Sequence, residues 1–507
     1  MTILPKATIL LSSAIPEIPG RPMYFDACPA LFVTRNHGNP ILRFAIVSCA
    51  LLTVLCAASR TSAAETWKLR ENQVGKTRQI STDLKVQGTM RINPDGRKVR
   101  QYPMTLEGQY VAIERNLNPT TAIRYYTKAE SESTANDKPL KDSLPMVKRL
   151  IGVQTDSSGP ILFSPEYTLS REELELINVP GNSAILGKLL PSEPVGLNQS
   201  WSPENHALAQ CLGINAVNSH DVTGRITEMD EKGVAKITFN GKVSGAIQGI
   251  ATEIELKARM NFDTRQELIT WFAASIEEDR AIGHAVPGFT VTAVVRTQIH
   301  PARPIAQLGD DQISQLDLRN NRGTQMLSFS GQEAGFRVLH GREWHTMAET
   351  AKQTVFRMVA DGELIAQANV NRLTNLKPGE QTTLEGFEEE VKKALGERLG
   401  QVIDAGQKIN SQGLRELRVS AVGSINKMPI SWIYYLVSDD QGHRYTAIFT
   451  FETALAEKFA ESDRTFMSGF DLIESSQQPT SAGEPENASP QSPALIEAAM
   501  ERATKVR

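Results

Sequence analysis

The chain has 507 residues, of which 54 are Lys or Arg and 58 are Asp or Glu, so its formal net charge at pH 7 is -4. This balance excludes the strongly basic surface that nucleic-acid-binding proteins present. Apolar residues make up 40% of the chain, which excludes a wholly disordered, collagen-like or disulfide-scaffold protein and leaves room for about two or three packed domains.

Residues 1–64 are predicted to be a superfluous prefix followed by a signal peptide. Arg35 and Arg43 precede an apolar run over residues 44–58, and Ser62-Ala63-Ala64 follows it. A basic segment, an apolar segment and a small-residue site are the three parts of a cleavable signal. A membrane anchor needs about 20 apolar residues, so we expect cleavage after Ala64 and export to the periplasm or the extracellular space.

Two features of this leader leave alternatives open. Residues 1–32 form a long prefix that contains five prolines, which is unusual before a signal, so we expect the natural start downstream, with Val33 as the candidate. Cys49 stands in a loose lipid-modification pattern, but most of the apolar run lies beyond it, which argues against lipidation. Three of the four cysteines lie in the leader, and Cys211 remains without a disulfide partner.

Residues 65–305 are predicted to form an antiparallel β-rich domain. Residues 253–262 alternate strictly between polar and apolar side chains, which is typical of a strand with one buried face and one solvent-exposed face. Residues 268–276 are apolar on both faces, and residues 289–299 alternate again. Together these segments predict a meander or half-barrel of long strands with one buried face.

Local signals predict what covers this sheet and where it turns. Ser170 and Glu173 have capping-box spacing at the start of a helix over residues 169–177. The apolar residues 184–190 form a second covering element. The sequences Asn93-Pro94-Asp95-Gly96 and Asn240-Gly241 predict chain reversals.

The second half follows a different pattern. Residues 306–321 are predicted to be a linker, since Pro301 and Pro304 disfavour a continuing strand. Residues 322–474 then form a domain of strands and helices, in which Thr382 and Glu385 open a helix with an apolar stripe at helical spacing. Residues 475–507 have too few apolar residues to form a core, and they are predicted to be a disordered tail with a possible short helix.

This second half resembles the PsbP-like family. The likeness rests on strand order and on three segments: FRVLHGREWH at 336–345, ISWIYYLVSDDQGHRYTAIFTF at 430–451, and Arg464-Thr465-Phe466. It implies a small α/β sandwich of about 150 residues and brings no catalytic residues with it. The first half resembles, more loosely, LolA-like lipoprotein carriers, in which a curved antiparallel sheet holds an acyl chain. The predicted class is therefore α+β: an N-terminal antiparallel β-meander or half-barrel, then a smaller PsbP-like α/β sandwich.

The common catalytic and cofactor motifs are missing from the sequence, and we predict neither a catalytic site, a metal nor a cofactor. Cys211 has His206, His220 and Asp221 nearby in sequence, which would suit a thiol nucleophile, but its apolar surroundings favour a buried inert thiol. His340 and His345, with Glu343 or Glu349, could approach a metal, although their spacing suits neither one strand face nor one helix face. The acidic clusters 130–132, 277–279 and 388–390 are interpreted as solvent-facing charge.

These observations predict an exported, non-enzymatic binding or scaffold protein of the cell envelope, which holds an apolar ligand or a protein partner on a sheet surface. If a lipid is bound, its contacts are predicted to be Ile254, Leu256, Met260 and Phe262; the simpler interpretation is that these side chains form the core. No nucleic-acid partner and no membrane-spanning helix after signal cleavage are expected. An envelope hydrolase, with a site assembled from distant histidines and an acid, and a structural accessory subunit of an envelope complex remain alternative hypotheses.

Overall fold

The computed structural model describes residues 65–93, 98–136, 138–156, 159–319, 321 and 323–473. The predicted leader, its cleavage site after Ala64, the turn residues 94–97 and the predicted tail 475–507 lie outside the described residues.

The described residues before residue 302 form sixteen strands. In chain order these are β1 (Thr66–Trp67), β2 (Thr77–Ile92), β3 (Arg100–Asn118), β4 (Thr121–Ala135), β5 (Lys138–Ser143), β6 (Leu150–Thr155), β7 (Pro160–Phe163), β8 (Leu169–Ser170), β9 (Val195–Gly196), β10 (Ser200–Trp201), β11 (Ala216–His220), β12 (Thr223–Met229), β13 (Val234–Ile247), β14 (Ile250–Asp263), β15 (Leu268–Arg280) and β16 (Gly288–Pro301). Three short helices interrupt them: α1 (Arg171–Ile177), α2 (Ser183–Leu186) and α3 (Asn205–Leu212).

The remaining strands and helices follow residue 305. The strands are β17 (Leu327–Gly331), β18 (Phe336–His340), β19 (Trp344–Glu349), β20 (Gln353–Ala360), β21 (Glu363–Arg372), β22 (Leu399–Ile409), β23 (Arg415–Ile425), β24 (Met428–Ser438), β25 (Arg444–Glu452) and β26 (Asp471–Leu472). The helices are α4 (Asp310–Ile313), α5 (Leu384–Leu395), α6 (Ala456–Phe459) and α7 (Ser462–Ser468).

The described strands pair into four sheets. The largest has 13 strands and the order β10-β12-β13-β14-β15-β16-β2-β3-β4-β6-β7, with β11 added to β13 and β5 added to β4. All its pairs are antiparallel, and β16 joins β2 over fourteen residues, from Gly288 opposite Arg91 to Pro301 opposite Arg78. A seven-stranded sheet has the order β19-β20-β21-β25-β24-β23-β22, and β26-β18-β17-β8 and β1-β9 form the two small sheets.

The predicted fold class is wrong. We expected an α+β chain, an N-terminal meander or half-barrel followed by an α/β sandwich, but the described chain is mostly β and is distributed over several sheets. The helices are short, with at most 12 residues each. One small sheet contains strands from both halves of the chain, because β8 from the first half pairs in parallel with β17 from the second. Such pairing depends on long-range contacts, which local sequence patterns do not encode.

The buried face of the 13-stranded sheet forms the largest core. The predicted alternation in β14 is confirmed, since Ile254, Leu256, Ala258, Met260 and Phe262 are all buried. Helices α1, α2 and α3 contribute buried apolar side chains to the same core. The capping box of α1 is also confirmed: the Glu173 backbone N–H donates to Ser170 Oγ, and the Ser170 N–H donates to the Glu173 carboxylate.

Two other predicted boundaries shift. Asn240-Gly241 is not a reversal but lies inside β13, and the turn comes at Gln248 and Gly249, which both have positive φ. Helix α5 is capped by Thr383 rather than Thr382, with the Gly386 N–H donating to its hydroxyl. A polar dipeptide therefore does not reverse a strand when the pairing on both sides continues through it.

Candidate functional site

The face of the 13-stranded sheet opposite its core carries a long open groove. It consists of three adjoining cavities of about 930, 750 and 700 Å³. The first and second share lining residues, and so do the second and third. The shared residues are Gln87, Thr105, Thr134 and Thr292 in the first case and Val294 and Arg296 in the second. We call this continuous depression the exposed-face groove.

The groove exists because the outward side chains of the central strands are small. Successive side chains of a strand point to opposite faces, so Phe272 and Ala274 enter the core while Ala273 and Ser275 point outward. Next to them lies the outward Val294 of β16, and Trp271 also lines the cavity of about 700 Å³. The residues 268–276, which look apolar on both faces in the sequence, thus place one face in the core and the other in the groove.

One end of the groove is acidic. Glu253 of β14 lies opposite Asp279 of β15, and Glu255 lies opposite Glu277. Like charges directly opposite each other destabilise a strand pair. Hydrogen bonds and ion pairs reduce this repulsion: Ser244 Oγ donates to Glu253 at 2.7 Å, Lys257 Nζ lies 2.6 Å from Glu255, and Arg91 Nη2 lies 2.5 Å from Asp279.

The acidic cluster 277–279 is divided between the two faces. Glu277 and Asp279 are exposed, whereas Glu278 is buried and lies 2.6 Å from the guanidinium of Arg280. Thr252 Oγ1 donates to the same carboxylate at 2.9 Å. Within the described residues, no group of three or more His, Cys, Asp or Glu side chains is arranged to hold a metal ion.

The side chains of the four predicted ligand contacts lie in the core on the other side of the sheet, and only Ile254 also lines a cavity of the groove. Ile254, Leu256, Met260 and Phe262 have relative exposures of 4%, 3%, 0% and 1%, and all belong to the main apolar core. They share one face of β14, as their spacing predicted. Their role as ligand contacts stays a prediction.

Cys211 lies in α3 and is buried. Burial raises the pKa of its thiol to about 12, so the thiol is protonated and unreactive at neutral pH. His206 on the same helix is exposed and pairs with Glu204, its Nδ1 3.0 Å from the carboxylate. His220 Nδ1 accepts a hydrogen bond from the Val222 N–H. Each of these histidines is engaged locally, and no hydrogen bond joins either to Cys211 within the described residues.

His340 and His345 are buried where the second half meets the first. Burial and the nearby guanidinium of Arg171 lower the pKa of His340 to about 4 and of His345 to about 2, so both rings are neutral at pH 7. Gln248, from the β13–β14 turn, lies 3.4 Å from the Nε2 atom of His345. Arg171 Nη2 donates to the carbonyl oxygens of Arg342 and Trp344. We call this set, together with Glu175, the junction cluster; its bonds connect the two halves.

The groove residues were not singled out by the sequence. Arg259 stands at a polar position of β14, whose alternation is clear, so its outward direction could be predicted. Trp271 lies in a segment that looks apolar on both faces, so its direction could not. Which outward residues become neighbours depends on the register between strands, and the register is fixed by long-range pairing.

Comparison with known proteins gives no family. No family model matches the chain, and no curated protein matches it. Among solved structures, a protein from Bacteroides thetaiotaomicron matches with a TM-score of 0.23 and 8% identity, over 31% of this chain and 51% of its own length. Cyanobacterial PsbP from Synechocystis matches with a TM-score of 0.24 and 16% identity, over 29% of this chain and 93% of its own.

A third match is the translocator domain of the autotransporter NalP from Neisseria meningitidis, with a TM-score of 0.13, 10% identity, and coverage of 76% and 90% of the two chains. The comparisons therefore support a weak fold-level resemblance to PsbP in part of the chain and nothing finer. Within the described residues, none of the helices is both long and apolar enough to cross a lipid bilayer.

Proposed function

We propose that this chain is an exported, non-enzymatic binding protein of the cell envelope, which takes its ligand or partner on the exposed face of the 13-stranded sheet. The observation that carries the proposal is the continuity of the exposed-face groove through three adjoining cavities. Large concave surfaces with convergent polar groups are typical of binding sites.

The same observation changes the expected kind of ligand. The apolar face of the sheet is filled by the chain's own side chains. The groove, in contrast, is open, and most of the residues that line its two larger cavities are polar or charged. It suits an extended polar chain better than a lipid, because an acyl chain in an open groove would remain in contact with water.

The groove is tested by filling it. Ala273→Trp places a large side chain in the cavity of about 700 Å³, while Gln101→Trp places the same side chain at an exposed position of the sheet that lines none of the three cavities. Binding of the full chain to peptidoglycan sacculi, charged and neutral polysaccharides and phospholipid vesicles is measured by sedimentation. We expect at least one of these to bind the wild type and Gln101→Trp but not Ala273→Trp. Binding of none of them, or equal binding by all three proteins, would contradict the proposal.

Export rests on the order of charged, apolar and small residues before Glu65. N-terminal sequencing of the protein recovered from the producing cells tests it. A mature N-terminus at Glu65 in the envelope or medium is the expected result. Recovery of the intact leader on cytosolic protein would show that export is wrong. The relationship of the second half to the PsbP-like family is also a proposal, which rests on the segments at 336–345 and 430–451.

A further inference from the structure

Three arginines form a straight row across the exposed face. Through consecutive strands, Arg225 of β12 is opposite Thr238, Thr238 is opposite Arg259, Arg259 is opposite Ala273, and Ala273 is opposite Arg296 of β16. Neighbouring strands lie about 4.8 Å apart, so successive arginines are about 10 Å apart along the row. We call these three residues the arginine row.

The arginines of the row are not paired with carboxylates in the described part of the chain. Several other cations on this face lie within 2.8 Å of a carboxylate: Lys85 pairs with Glu107, Lys236 with Glu228, and Lys257 with Glu255. Within the described part of the chain, the side chains of Arg225, Arg259 and Arg296 form no ion pair and no hydrogen bond, and all three are exposed. Three unpaired guanidiniums in one line create a positive stripe that favours a polyanion.

The spaces between the arginines are open. Thr238 and Ala273 are small, and both line the cavity of about 700 Å³. Trp271, two residues before Ala273 on the same strand, stands between the outward amide side chains of Asn261 and Gln298. An indole packs well against a flat apolar surface, and amides both donate and accept hydrogen bonds.

The row also has a definite end. Beyond Arg296 the same line of residues continues through Asp83, Gln109 and Glu130, which brings negative charge. The positive stripe is therefore limited to strands β12 to β16. A polyanion that follows it crosses the strands and stops where the charge changes sign.

We propose that the exposed-face groove binds a linear acidic polysaccharide whose carboxylates lie on the arginine row and one of whose sugar rings packs on Trp271. The inference rests on the proposed function, since it names the ligand of the same groove. Guanidinium binds carboxylate through paired hydrogen bonds. The distance of about 10 Å between successive arginines, which is two strand spacings, corresponds to the repeat of an extended polysaccharide with a carboxylate on every second sugar. The C–H face of a sugar ring suits the indole, and its hydroxyl groups suit Asn261 and Gln298.

The experiment measures binding of the full chain to hyaluronate, which has a carboxylate on every second sugar, and to uncharged dextran. Isothermal titration is carried out at low and high salt. The double substitution Arg259→Gln with Arg296→Gln removes two cations from the row. Arg303→Gln with Lys232→Gln removes the same charge from two exposed positions outside the groove. Unfolding midpoints confirm that both variants are folded.

We expect hyaluronate to bind and dextran not to bind, with weaker binding at high salt. The row variant should lose about tenfold or more in affinity, because each guanidinium contributes charge-assisted hydrogen bonds, and the control should stay within about twofold of the wild type. Trp271→Leu should weaken binding without changing its salt dependence.

Several results would overturn the inference. Hyaluronate binding that the row variant leaves unchanged shows that the arginines do not hold the polymer. A second such result is that the protein binds dextran, anionic vesicles or single-stranded DNA instead of hyaluronate, and that Ala273→Trp abolishes this binding. The groove then has another ligand, and the proposed function is retained. Absence of binding to hyaluronate and to every other polymer or vesicle contradicts both.

Discussion

At the scale of single residues, the 13-stranded sheet contains a buried ionic network. Glu114 is completely buried, and it receives hydrogen bonds from Arg78 Nε at 2.8 Å and from Arg124 Nε. Burial by itself raises the pKa of Glu114, but the two guanidiniums more than offset this and lower it to about 2. Arg124 also donates to Asn182 and Ser183, which ties the sheet to α2.

Glu114→Gln is expected to destabilise the protein by about 3–5 kcal/mol, because it leaves the buried guanidinium of Arg124 without its counter-charge and leaves Arg78 with only Glu71, 3.3 Å away. Glu107→Gln removes one partner of the exposed Lys85–Glu107 pair and should cost less than about 1 kcal/mol. Urea unfolding of both variants measures the difference. Equal free energies of unfolding would show that the network contributes nothing beyond a surface pair.

The pKa of Glu175, in the junction cluster, is shifted upward, in the opposite direction to that of Glu114. Burial raises its pKa from 4.5 to about 8, although the nearby Arg171 guanidinium, 3.6 Å away, lowers it in part. Because the folded pKa lies above the unfolded one, this group stabilises the fold fully below pH 4.5, and the contribution is lost as pH rises through about 8.

Glu175→Gln does not titrate, so its stability relative to the wild type should rise between pH 5 and pH 8.5, by about 4 kcal/mol. Urea unfolding at the two pH values measures this change. The exposed Glu166 supplies the matched substitution, Glu166→Gln, for which we expect little change. A relative stability of Glu175→Gln that does not depend on pH would contradict the raised pKa.

At the scale of elements, the short helix α1 is stabilised by its N-terminal cap and by its packing on the sheet. Helix α1 has only seven residues, which is too short to be stable alone in water. Its capping box satisfies backbone N–H groups that would otherwise be unpaired, and its buried Leu174 and Ile177 attach it to the sheet.

Ser170→Ala should therefore destabilise the protein by about 1 kcal/mol through loss of the cap. Ser131→Ala, at a half-buried position of β4, removes a hydroxyl that caps no helix and should have little effect. Thermal unfolding compares the two. A Ser170→Ala variant as stable as Ser131→Ala would show that the cap is dispensable once α1 is packed.

At the scale of the whole molecule, the two halves meet through hairpin turns. Gln248-Gly249 joins β13 to β14 and Asp361-Gly362 joins β20 to β21, and all four residues have positive φ. The two glycines touch, so a Cβ added to Gly362 would overlap the backbone of Gly249. Nearby, Arg357 Nη1 donates to the carbonyl oxygen of His284 at 2.6 Å.

Gly362→Ala should separate the halves. Gly379→Ala is the matched control. The two glycines have nearly the same φ, +81° for Gly379 and +82° for Gly362, but a Cβ added to Gly379 has no atom within 4 Å. Both variants carry the strain of an alanine in the left-handed region, about 1–2 kcal/mol, and only Gly362→Ala adds a steric clash. Calorimetry should show a broader or split transition for Gly362→Ala alone. Identical transitions would mean that the turns do not couple the halves.

The sequence by itself determined the local features of this protein. The alternation of β14 places Ile254, Leu256, Met260 and Phe262 on a dry face, and the spacing of Ser170 and Glu173 fixes the start of α1. These features depend on periodicity and on hydrogen bonds between residues close in sequence, which the sequence displays directly.

Only the tertiary structure decided the class, the pairing across the two halves and the groove. Arg225, Arg259 and Arg296 become neighbours because the registers of five strands agree, and no local pattern specifies a register between strands. For the same reason β8 joins β17, which local patterns assign to separate halves. A site on a sheet surface is made of residues distant in sequence, so the chemistry of this face becomes visible only after the strands are paired.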